Sequence, residues 1–133
     1  MAFHQMPWKI GGVEKAYCCI NSNARDFARL GNLVLHKGTW KTHQLLDSNF
    51  IEQMVTPNMI TDINGEACSY YGLHWWITKH KNHQVYYARG ILGQYIIVVP
   101  DEQLVIVRLG TDRGAKMGNH FEDTFRLIES FSN

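Results

Sequence analysis

Four aromatic or β-branched runs fall at residues 70–78, 84–89, 94–99 and 104–109, and the links between them are short. Residues 79–82, a Gly90/Gly93 crossing and Pro100-Asp101-Glu102-Gln103 are all that separate them. Parallel neighbours need a crossover of a dozen or more residues, so links of this length permit only antiparallel pairing. The last two runs are apolar on both faces, so both sides of the sheet need cover. One cover is a final helix from about Asn119, with Phe121, Phe125, Ile128 and Phe131 or Leu127 as its apolar stripe. The other comes from helices ahead of the sheet, or from chain that is not present here.

Two helices are expected ahead of the sheet. Asn23 suits an N-cap, and Asp26 three residues on completes a capping-box-like pair at the positive helix end. Phe27, Leu30, Leu33 and Val34 recur at helical spacing, and His36-Lys37-Gly38 supplies basic residues and a glycine stop. The second helix is capped by Asp47 or Ser48, carries Phe50, Ile51, Met54 and Val55, and ends before Pro57. Residues 58–69 read as loop, with Asn64-Gly65 as the sharpest turn. Residues 1–15 show no strong period and read as an entering segment. The expected class is α+β: one domain over residues 1–133, with an antiparallel sheet of three to four strands, N-terminal helices and a C-terminal helix packed on it.

Composition narrows the partners. The chain has 13 basic and 12 acidic residues, a formal charge of +1, so no broad field attracts nucleic acid or anionic lipid. No apolar run approaches the roughly 20 residues that span a bilayer, and Met1 to Lys9 lack the apolar core of a secretory signal, which leaves the compartment open. Of the three cysteines, Cys18, Cys19 and Cys68, adjacent Cys18 and Cys19 are poorly placed to bridge each other. Small buried hydrophobes are the simplest reading. Paired Cys/His spacings of a zinc site are absent, and neither a metal nor a cofactor is expected.

The candidate site is the crossing between the second and third runs, Tyr87-Ala88-Arg89-Gly90-Ile91-Leu92-Gly93-Gln94. A strand, a glycine-pinned turn and an apolar strand bring backbone close to a neighbour, as hydrolases do when they expose N–H groups to a substrate. Gly90 is the oxyanion-hole backbone candidate, though a plain bulge explains the same glycine. Tyr87, Arg89, Ile91, Leu92 and Gln94 are the candidate substrate-binding residues. Arg89's planar fork suits a carboxylate of a substrate or an ion pair at a strand end. Tyr87 suits a donor or a cross-strand aromatic. In the 74–76 stretch, strand alternation sends His74 and Trp76 to one face and Trp75 to the other, so at least one Trp is core. His80 and His83 fall in a turn, and Arg108, Arg113 and Lys116 read as solvated charge.

Several stretches resemble serine β-lactamase-like hydrolases, the group of class C β-lactamases, DD-peptidases, family VIII esterases and 6-aminohexanoate-dimer hydrolases. Residues 23–31, Asn-Ala-Arg-Asp-Phe-Ala-Arg-Leu-Gly, resemble that group's Ser-Thr-Ala-Arg-Asp-Leu-Ala-Arg-Phe-Gly helix. Gly38-Thr39-Trp40 with Gln44-Leu45-Leu46-Asp47 looks like its next connection, and Tyr71-Gly72-Leu73-His74-Trp75-Trp76 like its Tyr-Gly-x-Gly-Trp-Trp strand. Residues 88–100 with 104–107 resemble its Gly-x-x-Gly-Gln hairpin. The resemblance runs from about Cys19 to Phe131, in the group's own order.

The resemblance implies an acyl-enzyme mechanism on an amide or ester, with a Ser-x-x-Lys nucleophile, a Tyr-x-Asn motif and a third motif on a strand edge. The third motif falls on Tyr87-Ala88-Arg89-Gly90, with Tyr87 near the place of its lysine. Arg89-Gly90 with Gly93-Gln94 looks more like the amide-hydrolase and esterase branches than the β-lactamases. Neither Ser-x-x-Lys nor Tyr-x-Asn occurs in these 133 residues. The chain therefore reads as the C-terminal part of such a hydrolase, inert alone and awaiting an N-terminal half to act on a small-molecule substrate. The other reading is a non-catalytic binding or assembly module that keeps the scaffold, with exposed apolar faces that favour a homo-oligomer.

Overall fold

The computed structural model describes residues 2–3, Cys18 and residues 20–131. The expected entering segment lies mostly outside the described residues. Its start, β1 (Ala2–Phe3), pairs antiparallel with β2 (Ile20–Asn21). Helix α1 (Ala24–Leu35) begins as its sequence dictates: the Asn23 side chain accepts from Asp26 N–H at 3.0 Å, leaving one fewer orphan donor in the first turn. A two-residue ladder follows, β3 (Thr39–Trp40) on β4 (His43–Gln44). Asp47 then caps α2 (Ser48–Met54), accepting from Asn49 and Phe50 N–H.

The central sheet has the order β5-β6-β7-β8, antiparallel throughout. Its strands are β5 (Trp76–His80), β6 (His83–Arg89), β7 (Tyr95–Val99) and β8 (Leu104–Arg108). A single 3-10 turn, Pro100–Glu102, joins the last two. Another short ladder, β9 (Lys116–Met117) on β10 (His120–Phe121), leads into α3 (Glu122–Phe131).

Register decides which residues are core. Trp76 pairs with Tyr87, Tyr87 with Ile97, and Ile97 with Ile106, so these four side chains share one face. On that face Val85, Tyr87, Tyr95, Ile97, Val99 and Ile106 form one cluster with Ile128 of α3. On the other face Val98 joins Val34 of α1 and Ile51 of α2, with Trp75 and Val105 against them. Val85, Tyr87, Ile97, Val98 and Val99 are all 0% exposed, as a strand pair covered on both faces should be. The two covers are thus α3 on one side, and α1 with α2 on the other.

Three expectations need correction. The first strand does not begin at Tyr70. Gly72 lies so close to the end of α2 that an added Cβ would sit 2.3 Å from the Met54 carbonyl oxygen. Leu73 N–H also bonds that carbonyl, and His74 takes a left-handed φ of 62°. Docking on α2 therefore overrides the β pattern until Trp76, and His74 stands exposed in a bend rather than alternating with Trp76. Both tryptophans pack against core clusters. At the far end the strands continue through His80 and His83, which pair with each other, so the turn is only two residues long.

The apolar stripe of α3 also differs. Thr124 and Ile128 are the buried residues of the helix, whereas Phe131 is 60% exposed. Among the cysteines, Cys68 is free and partly buried, while Cys18 takes part in a disulfide, against the reading of all three as buried thiols.

Candidate functional site

The turn between β6 and β7 is built by its own hydrogen bonds. Gly90 N–H donates to the Gln94 carbonyl at 2.8 Å, and Gly93 N–H to the Gly90 carbonyl at 3.3 Å. The Gln94 side chain fills the turn: its Oε1 accepts from Leu92 N–H at 3.1 Å, and its Nε2 donates to the Gly110 carbonyl at 2.7 Å. Gly93 has φ +77°, and an added Cβ would sit 2.2 Å from the Asp112 carbonyl oxygen, so both conformation and contact require glycine. The turn thus rests against residues 110–112.

That support is itself braced. Arg108 Nη2 donates to the Asp112 carbonyl at 3.0 Å, and its Nη1 pairs with Asp123 at the start of α3. Asp123 also accepts from the Tyr95 hydroxyl at 2.9 Å. Arg108 is therefore a partly buried strut and not the solvated charge its sequence context suggests.

These bonds assign the candidate residues. Gly90's amide is committed to the turn, so it is not the open donor. The next amide, Ile91 N–H, has no partner among the described residues. Ile91 is 78% exposed and Leu92 49%. Gln94 is spent on the turn, acting on the backbone around it and not on a ligand. Tyr87 is 0% exposed and lies in the core, with its hydroxyl 2.5 Å from His120 Nδ1. Burial pushes that hydroxyl up to about 12, against the lowering effect of the nearby Arg89 charge.

Arg89 is the exception, a polar group left with capacity. Its guanidinium carbon lies 3.6 Å from the Trp76 ring centroid and 4.7 Å from that of Phe121, and one nitrogen donates to the Asn119 carbonyl at 3.2 Å. None of the ion pairs among the described residues involves Arg89. Arg113 stacks on the same Phe121 ring at 4.4 Å. Residues 113–121 were read only as solvated charge and helix start. No short-range pattern marks them, because their partners lie 30 and 33 residues away on β6 and farther still on β5.

The fold has a counterpart among solved structures. A Bacillus anthracis protein described as a 6-aminohexanoate-dimer hydrolase matches with a TM-score of 0.57 and 27% identity, over 80% of this chain and 26% of the other. The chain has the fold of the C-terminal part of a β-lactamase-like hydrolase. It spans about a quarter of that neighbour's length. No family model matches the sequence, and no curated protein matches it. Among the described residues, no helix is long and apolar enough to cross a membrane, and no group of three or more His, Cys, Asp or Glu side chains is placed to hold a metal.

Proposed function

We propose that this chain forms one wall of the active site of a β-lactamase-like serine hydrolase that cleaves an amide or ester through an acyl-enzyme. The observation that carries the reading is the open Ile91 amide, held by a turn whose Gly90, Leu92 and Gly93 amides and Gln94 side chain are committed. An amide fixed in this way suits an oxyanion hole, where a preorganised donor lowers the barrier without reorganising; one donor contributes roughly 3–4 kcal/mol. Exposed Ile91 and Leu92 line the approach, and Arg89 lies one residue before the turn, with guanidinium donors free to take a carboxylate.

The serine, its lysine and the Tyr-x-Asn tyrosine are supplied under this reading by a preceding part of the protein. The similarity to a hydrolase more than three times as long as the matched region is consistent with that. The decisive experiment is to read the coding DNA upstream of Met1. An in-frame Ser-x-x-Lys followed by Tyr-x-Asn supports the hydrolase, and a promoter with a clean start site instead supports a non-catalytic module.

A further inference from the structure

The central sheet has two edges, and only one of them is blunted. Along β5, Tyr71 bridges to Trp76, Ile77 N–H donates to the Tyr70 carbonyl at 2.8 Å, and exposed Lys79 puts a charge on the remainder. The other edge is β8, which pairs only with β7. Its register runs one to one from Tyr95↔Arg108 to Val99↔Leu104, so no bulge bends it away. It holds no proline and no lysine, and its one charge, Arg108, is turned to Asp123. Every second residue of such a strand aims its N–H and C=O outward. Those outer groups of Leu104-Val105-Ile106-Val107 have no hydrogen-bond partner among the described residues. A regular, aliphatic edge of this kind is a template for one more strand.

The strand that fits is another β8. Antiparallel pairing about a twofold axis at Ile106 sets Val105 against Val107 of the second copy, and Leu104 against the alkyl stem of Arg108. No like charges then face each other. Glu102, just ahead of one strand, falls diagonal to Arg108 of the other, and exposed Leu109 falls opposite Gln103.

The covering helix fits as well. α1 packs on β7 and β8 alike: a Cβ added at Gly31 would sit 2.5 Å from Val105 Cγ1 and 3.0 Å from Ile96 Cγ2. Its axis therefore lies over the line between those two strands. With strands about 4.8 Å apart, a second β8 sets the two α1 axes about 10 Å apart, a distance at which helices pack.

We propose that β8 pairs with β8 of a second copy, joining two four-stranded sheets into one continuous sheet with the α1 helices side by side. The pairing does not depend on what the β6–β7 turn does.

The test uses the purified chain from low to high micromolar concentration. Size-exclusion chromatography with light scattering should give a mass rising to twice that of the chain. Amide exchange followed by NMR should slow at alternate residues of β8 as concentration rises, while Thr78 and Lys79 on the β5 edge stay unchanged. Val107→Lys puts a charge against Val105 of the second copy and should leave a folded monomer. Thr78→Lys, on the opposite edge, should leave the dimer intact. If Val107→Lys fails to fold, exchange in the wild type decides alone. A monomer at every concentration, aggregates of no fixed size, or a dimer whose β8 exchange ignores concentration would each overturn the pairing, as would an undiminished dimer in folded Val107→Lys. A monomer with its β8 amides already protected would assign the edge to another segment of the same chain, and overturns it too.

Discussion

Asp123→Ala tests whether the turn is braced from α3. The carboxylate takes two bonds, one from Arg108 and one from the Tyr95 hydroxyl at 2.9 Å, and the Arg108 and Asp123 side chains are 31% and 15% exposed. Hydrogen bonds to a charged group contribute about 1.5–3 kcal/mol each when buried, and an exposed ion pair about 0–1 kcal/mol. The partial exposure of Arg108 places the pair between those limits, so Asp123→Ala should cost about 2–3 kcal/mol in urea unfolding. Asp123→Asn keeps an acceptor for Tyr95 and should cost about 1–2 kcal/mol. A double-mutant cycle with Arg108→Met isolates the pair and should return a coupling of about 1 kcal/mol or more. Because Arg108 also holds the Asp112 carbonyl, amide exchange at Leu92 and Gly93 should quicken in Asp123→Ala. A coupling below about 0.3 kcal/mol, with unchanged exchange at the turn, would mean an ordinary solvated pair and refute the bracing.

Three shorter predictions concern the same region. In Gly90→Ala the new Cβ would sit 2.3 Å from Gln94 Oε1, so the Gln94 side chain must leave the turn; a loss of about 1–3 kcal/mol and displaced Leu92 and Gly110 resonances are expected, and an unchanged spectrum would show the turn to be looser than described. Tyr87 ionises more readily unfolded than folded, so stability is full below pH 10 and falls as pH rises from 10 towards 12, by at most about 3 kcal/mol; urea melts at pH 9 and 11 on wild type and Tyr87→Phe should show the wild type losing more. His120 is shifted the other way, with burial first and Arg89 second favouring the neutral ring. Its contribution is therefore complete above the ordinary value of 6.5 and is lost as pH falls below it, so His120→Gln should flatten the stability decline between pH 7.5 and 5.

Most of the architecture was legible because it is local. Asn23 and Asp47 cap the helices by bonds to residues two or three along, and the short links enforce antiparallel neighbours whatever the rest of the chain does. Several misreadings come from contact between residues distant in sequence. Tyr70 to Trp75 carry a strand pattern, yet Gly72 and Leu73 dock on the Met54 carbonyl. At the site, Gly90 to Gln94 stood out by composition, and the glycine crossing is a tight turn. What composition could not reveal is which amide each bond consumes, and that moves the open donor from Gly90 to Ile91. His120 and Asp123 escaped altogether, and Phe121 showed only as part of an apolar stripe, since their partners Tyr87, Tyr95 and Arg89 lie 28 or more residues away.

The central claim is that this chain supplies the oxyanion wall of an acyl-transfer site and not its nucleophile. Intact-mass analysis after incubation with a fluorophosphonate serine probe tests it on the purified chain. The account predicts an unmodified mass, because Ser22, Ser48, Ser69, Ser130 and Ser132 all lack the lysine three residues on that would activate them. A stoichiometric adduct on any of these serines would contradict it and place a complete catalytic site within these 133 residues.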